Sequence, residues 1–186
     1  MNLPNIITIL RVLSIPLLVI FLMERNFNYA LFLFTIAAVS DAIDGFLARI
    51  LKQQTTFGAY ADPIADKLLI GTSYVTLSIL QIMPGWLTVL VISRDVIILS
   101  GFGIIFLSEK KIEISPNIDS KLTTCIQLLT IFYFLGYDRL VPFHFAHDYM
   151  LFFTAAFTLF SGFHYIQNGF VILGQNSDDP SQSRNE

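Results

Sequence analysis

Four aspartates, Asp41, Asp44, Asp62 and Asp66, lie inside or beside long apolar runs. An ionised carboxylate is costly there and is usually kept for a task. On helices, Asp41 and Asp44 are i, i+3 neighbours and Asp62 and Asp66 are i, i+4 neighbours, so each pair shares a helix face. Two such pairs on consecutive helices can converge on one point. Four carboxylates there repel one another unless cations intervene, and all-oxygen donors suit Mg²⁺ or Mn²⁺. Two ions would neutralise a diphosphate and steady both the attacking and the leaving oxygen of an in-line displacement. The intervening residues fit that chemistry. Gly45 and Ala48 share the face of Asp41 and Asp44 and are small enough for a nucleobase or ribose to approach the helix backbone, as is Gly58 on the next segment. Arg49 supplies a planar donor fork suited to phosphate.

The elements that must hold these groups follow from composition. The 186 residues make one domain, 54% hydrophobic and only 13% charged, with a net charge of −3. Ordinary soluble domains carry about 25% charged residues. With a mean hydropathy of +0.66 gathered in long runs, an all-α integral membrane protein is expected. Nucleic acid is not among the expected partners. Six candidate spans run over 5–23, 28–50, 61–83, 86–107, 120–137 and 149–174, together a transmembrane domain over 1–174. Residues 175–186 form a polar tail expected to be disordered. Asp62 is expected near the N-cap of the third span, with Pro63 in its first turn. Arg11 interrupts the first apolar run and no small-x-small cleavage site follows it, so that run reads as a retained helix and not a signal peptide. Cys125 excludes an internal disulfide and, in an apolar run, reads as a buried inert thiol.

Orientation follows from the basic residues. Arg49, Lys52, Lys110, Lys111, Lys121 and Arg184 fall on one side of the six-helix bundle, and Arg25 and Arg139 on the other. Both termini are then cytoplasmic, and the four aspartates gather at the cytoplasmic mouth of spans two and three. Asp41 lies on the order of 15 Å from Lys52 along its helix, recessed yet open to cytosolic solutes.

Residues 41–66 read D-x2-D-G-x2-A-R-x8-G-x3-D-x3-D, which resembles the defining motif of the CDP-alcohol phosphatidyltransferase family at every fixed position. With the six-span layout, the resemblance extends over about residues 2–174. It implies that Asp41, Asp44 and Asp62 are metal ligands, that Asp66 is both ligand and general base, and that Gly45, Ala48, Arg49 and Gly58 line the site for the CDP moiety of CDP-diacylglycerol. The implied reaction passes the phosphatidyl group to an acceptor hydroxyl with release of CMP. A homodimer in a bacterial inner (plasma) membrane, with the active site facing the cytoplasm, is implied as well.

The acceptor is read from weaker signals. The start, Asn2-Leu3-Pro4-Asn5-Ile6-Ile7-Thr8-Ile9-Leu10-Arg11, is similar to the phosphatidylglycerophosphate synthase and CDP-diacylglycerol-type cardiolipin synthase branches, as is the Lys121-x2-Thr124-x2-Gln127 pattern. Arg11, Lys67, Arg94 and Lys121 are the candidate acceptor-binding cations. Glycerol 3-phosphate is the favoured acceptor, with phosphatidylglycerol the alternative. Arg94-Asp95 stands where the first branch usually shows Arg-Glu, and the Gly-Leu-Arg that follows in that branch is missing, which favours the second. A purely structural Arg94–Asp95 pair and an interfacial snorkelling Lys121 are the bland alternatives. An intramembrane prenyltransferase would need two separated Asp-rich motifs, and an ion or metal transporter would favour repeated halves and broken helices; neither pattern is present. His144 and His147 read as part of an interfacial aromatic belt, and His164, Gln167 and Asn168 as interhelical hydrogen-bonding groups. On the role that the resemblance gives Asp66, Asp66→Asn should retain CDP-diacylglycerol binding and abolish CMP release; turnover by the variant would remove the general-base assignment.

Overall fold

In a computed structural model, backbone is described for residues 3–50, 56–107, 118–136 and 146–175, and side chains for 7–40, 62–101, 119–136 and 146–167. Six helices occupy that backbone, and no strand occurs among the described residues: α1 (Leu3–Met23), α2 (Phe27–Ile50), α3 (Thr56–Ile79), α4 (Gly85–Leu107), α5 (Ile118–Leu135) and α6 (His147–Gln175). The polar tail anticipated at 175–186 lies outside the described residues beyond Gln175.

α3 and α5 each pack against three other helices. α3 packs against α1, α4 and α5, while α1 also meets α2, α4 meets α6, and α5 meets both α2 and α6. Leu18 and Leu22 of α1, Phe34 of α2, Leu69, Ile70, Tyr74 and Leu77 of α3, Leu87 and Val91 of α4 and Ile131 of α5 are almost wholly buried and belong to one continuous core. α3 thus presents apolar side chains to its neighbours along its second half and keeps Asp62, Asp66 and Lys67 for its first half.

Two turns at one end of the bundle set the helix pairing. Arg25 follows α1 with φ 56°, and Gln81 follows α3 with φ 60°, both left-handed. Around each, the two amide bonds of a Schellman motif close: Asn26 N–H to Phe21 O (2.8 Å) and Arg25 N–H to Leu22 O (2.9 Å), then Ile82 N–H to Leu77 O and Gln81 N–H to Ser78 O (both 3.0 Å). α1 and α3 stop cleanly, and the chain turns within a few residues into α2 and α4.

The boundaries of α3 differ from the span expected over 61–83. The helix starts at Thr56, so Pro63 stands inside it and Asp62 is not its N-cap. Proline removes one donor, the amide that would bond the carbonyl four residues earlier, and the flanking bonds carry the helix through. At the other end, the Schellman turn at Gln81 ends it before Pro84.

The outer surface is apolar. Leu13 (66%), Phe32 (65%), Val89 (66%), Phe152 (69%) and Phe163 (64%) are among many large hydrophobic side chains left exposed. So extensive an apolar exterior is foreign to a water-soluble monomer and suits contact with lipid. Among the described residues, His147–Gln167 is long and apolar enough to cross a bilayer, and Ile7–Met23 and Phe27–Ser40 are shorter apolar stretches. Cys125 corrects its expectation here. It is exposed, on the same outward stripe of α5 as Leu122, Leu129 and Phe132, because an apolar run in such a bundle points some of its side chains away from the protein.

α4 and α6 approach closely at Gly101. Tyr165 of α6 donates from Oη to the carbonyl of Ile98 (3.2 Å) and lies so near Gly101 that a Cβ there would fall 2.2 Å from the hydroxyl. Gly101→Ala should therefore displace Tyr165 and lower the thermal midpoint in detergent, by the equivalent of about 1–3 kcal/mol. Adding Tyr165→Leu should recover part of the loss; a Gly101→Ala midpoint equal to wild type would contradict this contact.

Candidate active site

The first half of α3 carries an acid pair and a base in sequence. Asp62 and Asp66 stand one turn apart on one face, both half-buried, and Lys67 follows directly. α1 orients the first acid: Thr8, buried to 2% exposure, donates from Oγ1 to Asp62 Oδ1 at 2.5 Å. Arg11, also buried (3%), lies one turn further along the same face of α1.

Lys67 points into a polar cluster made by three other helices. Its Nζ donates to Asp95 Oδ1 (2.9 Å) and to Thr124 Oγ1 (3.3 Å). The same Asp95 oxygen accepts from Arg94 Nη1 at 2.8 Å. Arg94 Nη2 reaches Ser120 Oγ and Ser161 Oγ, each at 2.8 Å, and the Ser120 carbonyl at 3.3 Å. The arginine stem passes beside Gly162, where a Cβ would lie 3.5 Å from Arg94 Cγ, an ordinary van der Waals contact. One carboxylate oxygen therefore joins two cations, and the cluster links α3, α4, α5 and α6. Burial forces the arrangement: Arg94 and Asp95 are 3% and 6% exposed, and unpaired charges at that depth would be strongly destabilising.

The expected site residues separate into three groups. Asp62, Asp66, Lys67 and Arg11 lie on the facing helices α3 and α1. Arg94 is buried among Asp95, Ser120 and Ser161, with its terminal nitrogens occupied by protein partners. Lys121 is exposed on α5, while the other members of its pattern turn inward, Thr124 to Lys67 and Gln127 to Thr158 Oγ1 (3.3 Å). Asp41, Asp44, Gly45, Ala48 and Arg49 fall on α2, and Gly58 on α3, but their side chains lie outside the described residues.

Other polar groups sit as follows. His164 Nδ1 meets Asp119 Oδ2 (2.7 Å), tying α6 to the first turn of α5. His147 lies edge-on to Phe134, with ring centroids 5.0 Å apart. His144 and the side chain of Asn168 lie outside the described residues. Sequence reasoning did not pick out Ser120, Ser161 or the bond from Thr8 to Asp62. The available signal was Thr8 and Ser161 as small hydroxyls within apolar runs, with Thr8 one turn from Arg11; Ser120, between Asp119 and Lys121, carried none.

A divalent cation fits the donors. Asp62 and Asp66 offer hard oxygens from a half-buried face, and the Thr8 hydroxyl already fixes one carboxylate by the outer hydrogen bond that such ligands characteristically accept. Among the described residues no three potential ligands cluster. The other two expected acids lie on the part of α2 whose side chains are not described.

Carboxylates, a neighbouring ammonium and an apolar exterior suit transfer of a phosphoryl-type group on a lipid. The chain belongs to the CDP-alcohol phosphatidyltransferase family, whose sequence model matches residues 1–161. It is similar to the CDP-diacylglycerol--glycerol-3-phosphate 3-phosphatidyltransferase of Bacillus subtilis (strain 168), 30% identical over 191 residues that cover 92% of this chain and 97% of that one. The protein of the same name from Pseudomonas fluorescens is 42% identical over 104 residues, 53% of each chain. The cardiolipin synthase (CMP-forming) of Homo sapiens is 38% identical over 101 residues, 54% of this chain and 34% of that one. The chain is therefore an enzyme of the phosphatidyltransferase class, a family that generally uses a divalent metal.

The bond from Thr8 to Asp62 makes a prediction independent of turnover. Thr8→Val should weaken Mn²⁺ binding about tenfold or more in a calorimetric or paramagnetic titration. The melting point in EDTA should stay near wild type. Unaltered Mn²⁺ affinity would show that the hydroxyl does not serve the carboxylate as a metal ligand.

Proposed function

We propose that this chain transfers the phosphatidyl group of CDP-diacylglycerol to glycerol 3-phosphate, giving phosphatidylglycerophosphate and CMP, from the cytoplasmic mouth of a six-span bundle. The observation that carries this reading is the first half of α3. There two carboxylates one turn apart are followed directly by an ammonium held by Asp95 and Thr124. Such a helix supplies groups for a metal-bound diphosphate and for an anionic acceptor within two turns of each other.

In the proposed mechanism, the acyl chains of the donor stay in the lipid against the exposed apolar faces. Asp41, Asp44, Asp62 and Asp66 would hold the divalent cations, proposed as two ions of Mg²⁺ or Mn²⁺, and these would supply positive charge to the diphosphate. Gly45, Ala48 and Gly58 admit the nucleoside close to the backbone, and Arg49 donates to phosphate. Asp66 takes the proton of the acceptor hydroxyl. The freed oxygen pair forms a bond to the phosphorus that carries diacylglycerol. The bond from that phosphorus to the bridging oxygen breaks, and CMP departs with its electron pair. Neutralisation and positioning supply the rate.

The choice of acceptor is supported by similarity over nearly the whole chain to an enzyme named for glycerol 3-phosphate, whereas the human cardiolipin synthase aligns over about half. Phosphatidylglycerol is the second reading, favoured by that alignment and by Asp95 where the first branch usually has Glu. Multi-pass insertion with both termini cytoplasmic is supported by the basic-residue asymmetry and the apolar exterior. A homodimer in a bacterial inner membrane completes the proposal by analogy with the family.

The test is CMP release from CDP-diacylglycerol in detergent with Mg²⁺, run with glycerol 3-phosphate, with phosphatidylglycerol and with neither. Glycerol 3-phosphate should support release many-fold above the blank. Release with phosphatidylglycerol alone would replace the acceptor, and no release with any would overturn the transferase reading.

A further inference from the structure

The ammonium of Lys67 has three donors, and the structure engages two of them, on Asp95 and Thr124. Its side chain keeps 15% of its surface exposed, against 8% for Asp95 and 3% for Arg94. Of the three charged groups in the cluster, Lys67 is the most open. Formal charge points the same way. Two cations share one carboxylate, so one positive charge is left over. Arg94 has spent its terminal nitrogens on Asp95, Ser120 and Ser161. The excess charge can therefore meet an anion most readily through the third N–H of Lys67.

We propose that this third donor receives the phosphate of the acceptor and that Asp95, itself held by Arg94, is the positioning residue that aims Lys67. The proposal rests on the transferase reading above and deepens it. Lysine is a point charge on a flexible four-carbon stem, poorly suited to hold one place unaided. Asp95 and Thr124 restrict it from two sides, and Ser120 and Ser161 fix Asp95 through Arg94. Arg94 thereby moves from a candidate ligand of the acceptor to a support two bonds removed from it. The placement also suits a small bifunctional molecule. Adjacent residues on a helix project about 100° apart, so Asp66 and Lys67 can reach the hydroxyl end and the phosphate end of one glycerol unit. A phosphate on glycerol is common to glycerol 3-phosphate and phosphatidylglycerol, and assays with each show which of them supplies it.

The experiment is steady-state kinetics in detergent on wild type, Asp95→Asn, Lys67→Met and the double variant, with folding checked by melting. Asp95→Asn should raise the KM for glycerol 3-phosphate about tenfold, the scale of one charge-assisted hydrogen bond, with kcat and the KM for CDP-diacylglycerol much less affected. Lys67→Met should raise it at least as much. The double variant should be no worse than Lys67→Met alone, because Asp95 acts through Lys67. An acceptor KM in Lys67→Met equal to wild type overturns the phosphate assignment. Multiplying effects in the double variant overturn the positioning role. Should Asp95→Asn not fold, Thr124→Val removes the other tether and should raise the same KM a few-fold, and an unchanged KM overturns the positioning role equally. Failure of the transferase reading is seen separately, as wild type that releases no CMP with any acceptor.

Discussion

One oxygen, Oδ1 of Asp95, serves two cations from two helices, and the inner half of the bundle is arranged around that fact. Taking an ion out of water costs several kcal/mol even after relaxation, so each charge must find its partners inside. Arg94 and Asp95 are neighbours in the chain, yet their pairing alone would leave the outer guanidinium nitrogen unmet. Ser120 and Ser161 meet it from α5 and α6, while Lys67 meets the carboxylate from α3. Removing a single partner would strand a buried charge, typically at about 3–5 kcal/mol. The cluster therefore makes a strong demand on how four helices approach one another. Small residues help answer it: Ser161 meets Arg94 with its hydroxyl, and Gly101 lets Tyr165 close the α4–α6 contact.

The seam between α5 and α6 meets that demand with hydrogen bonds beside the apolar core. Thr123, Thr124, Thr130 and Thr154 each have the carbonyl four residues back within hydrogen-bonding distance, so each hydroxyl has a local acceptor when it is buried, and one of Thr130 and Thr154 gives its proton to the other. The same hydroxyls then serve across the interface. Thr130 and Thr154 meet at 2.6 Å, Thr123 is 3.3 Å from the Phe157 carbonyl, and Gln127 donates to Thr158. Interhelical hydrogen bonds in lipid average only about 0.6 kcal/mol each, so the seam fixes register more than it adds strength. Register matters here, because Ser120 and Ser161 must arrive at Arg94 from two different helices.

This explains which parts of the molecule could be read from sequence. Five of the six helices begin and end within two residues of the spans drawn from apolar runs, because run length tracks helix length. α3 departs because Pro63 reads in sequence as a start signal, whereas the helix accommodates it two turns in. Cys125 departs because hydropathy does not distinguish an apolar residue facing the core from one facing outward. Lys121, Thr124 and Gln127 make one pattern in sequence and two in space. The steps of three residues carry them around the helix, so Lys121 is exposed and Gln127 is wholly buried.

The donor side and the acceptor side differ in the same way. The aspartate motif is confined to 26 consecutive residues, 41–66, and on helices its spacing is already geometry. The cluster around Lys67 is assembled from residues 28 and 57 positions away from it, and Arg94 reaches Ser161 across 67. No local periodicity relates such positions; only the docking of α4, α5 and α6 brings them together. Lys67 is the exception that belongs to both sets, being adjacent in sequence to the last aspartate and joined in space to Asp95. In the proposed reaction, a helix that carries Asp66 and then the tethered Lys67 would couple the two substrates through its backbone. Rotation of α3 would move both groups at once, and the contacts of α1, α4 and α5 with it oppose that rotation.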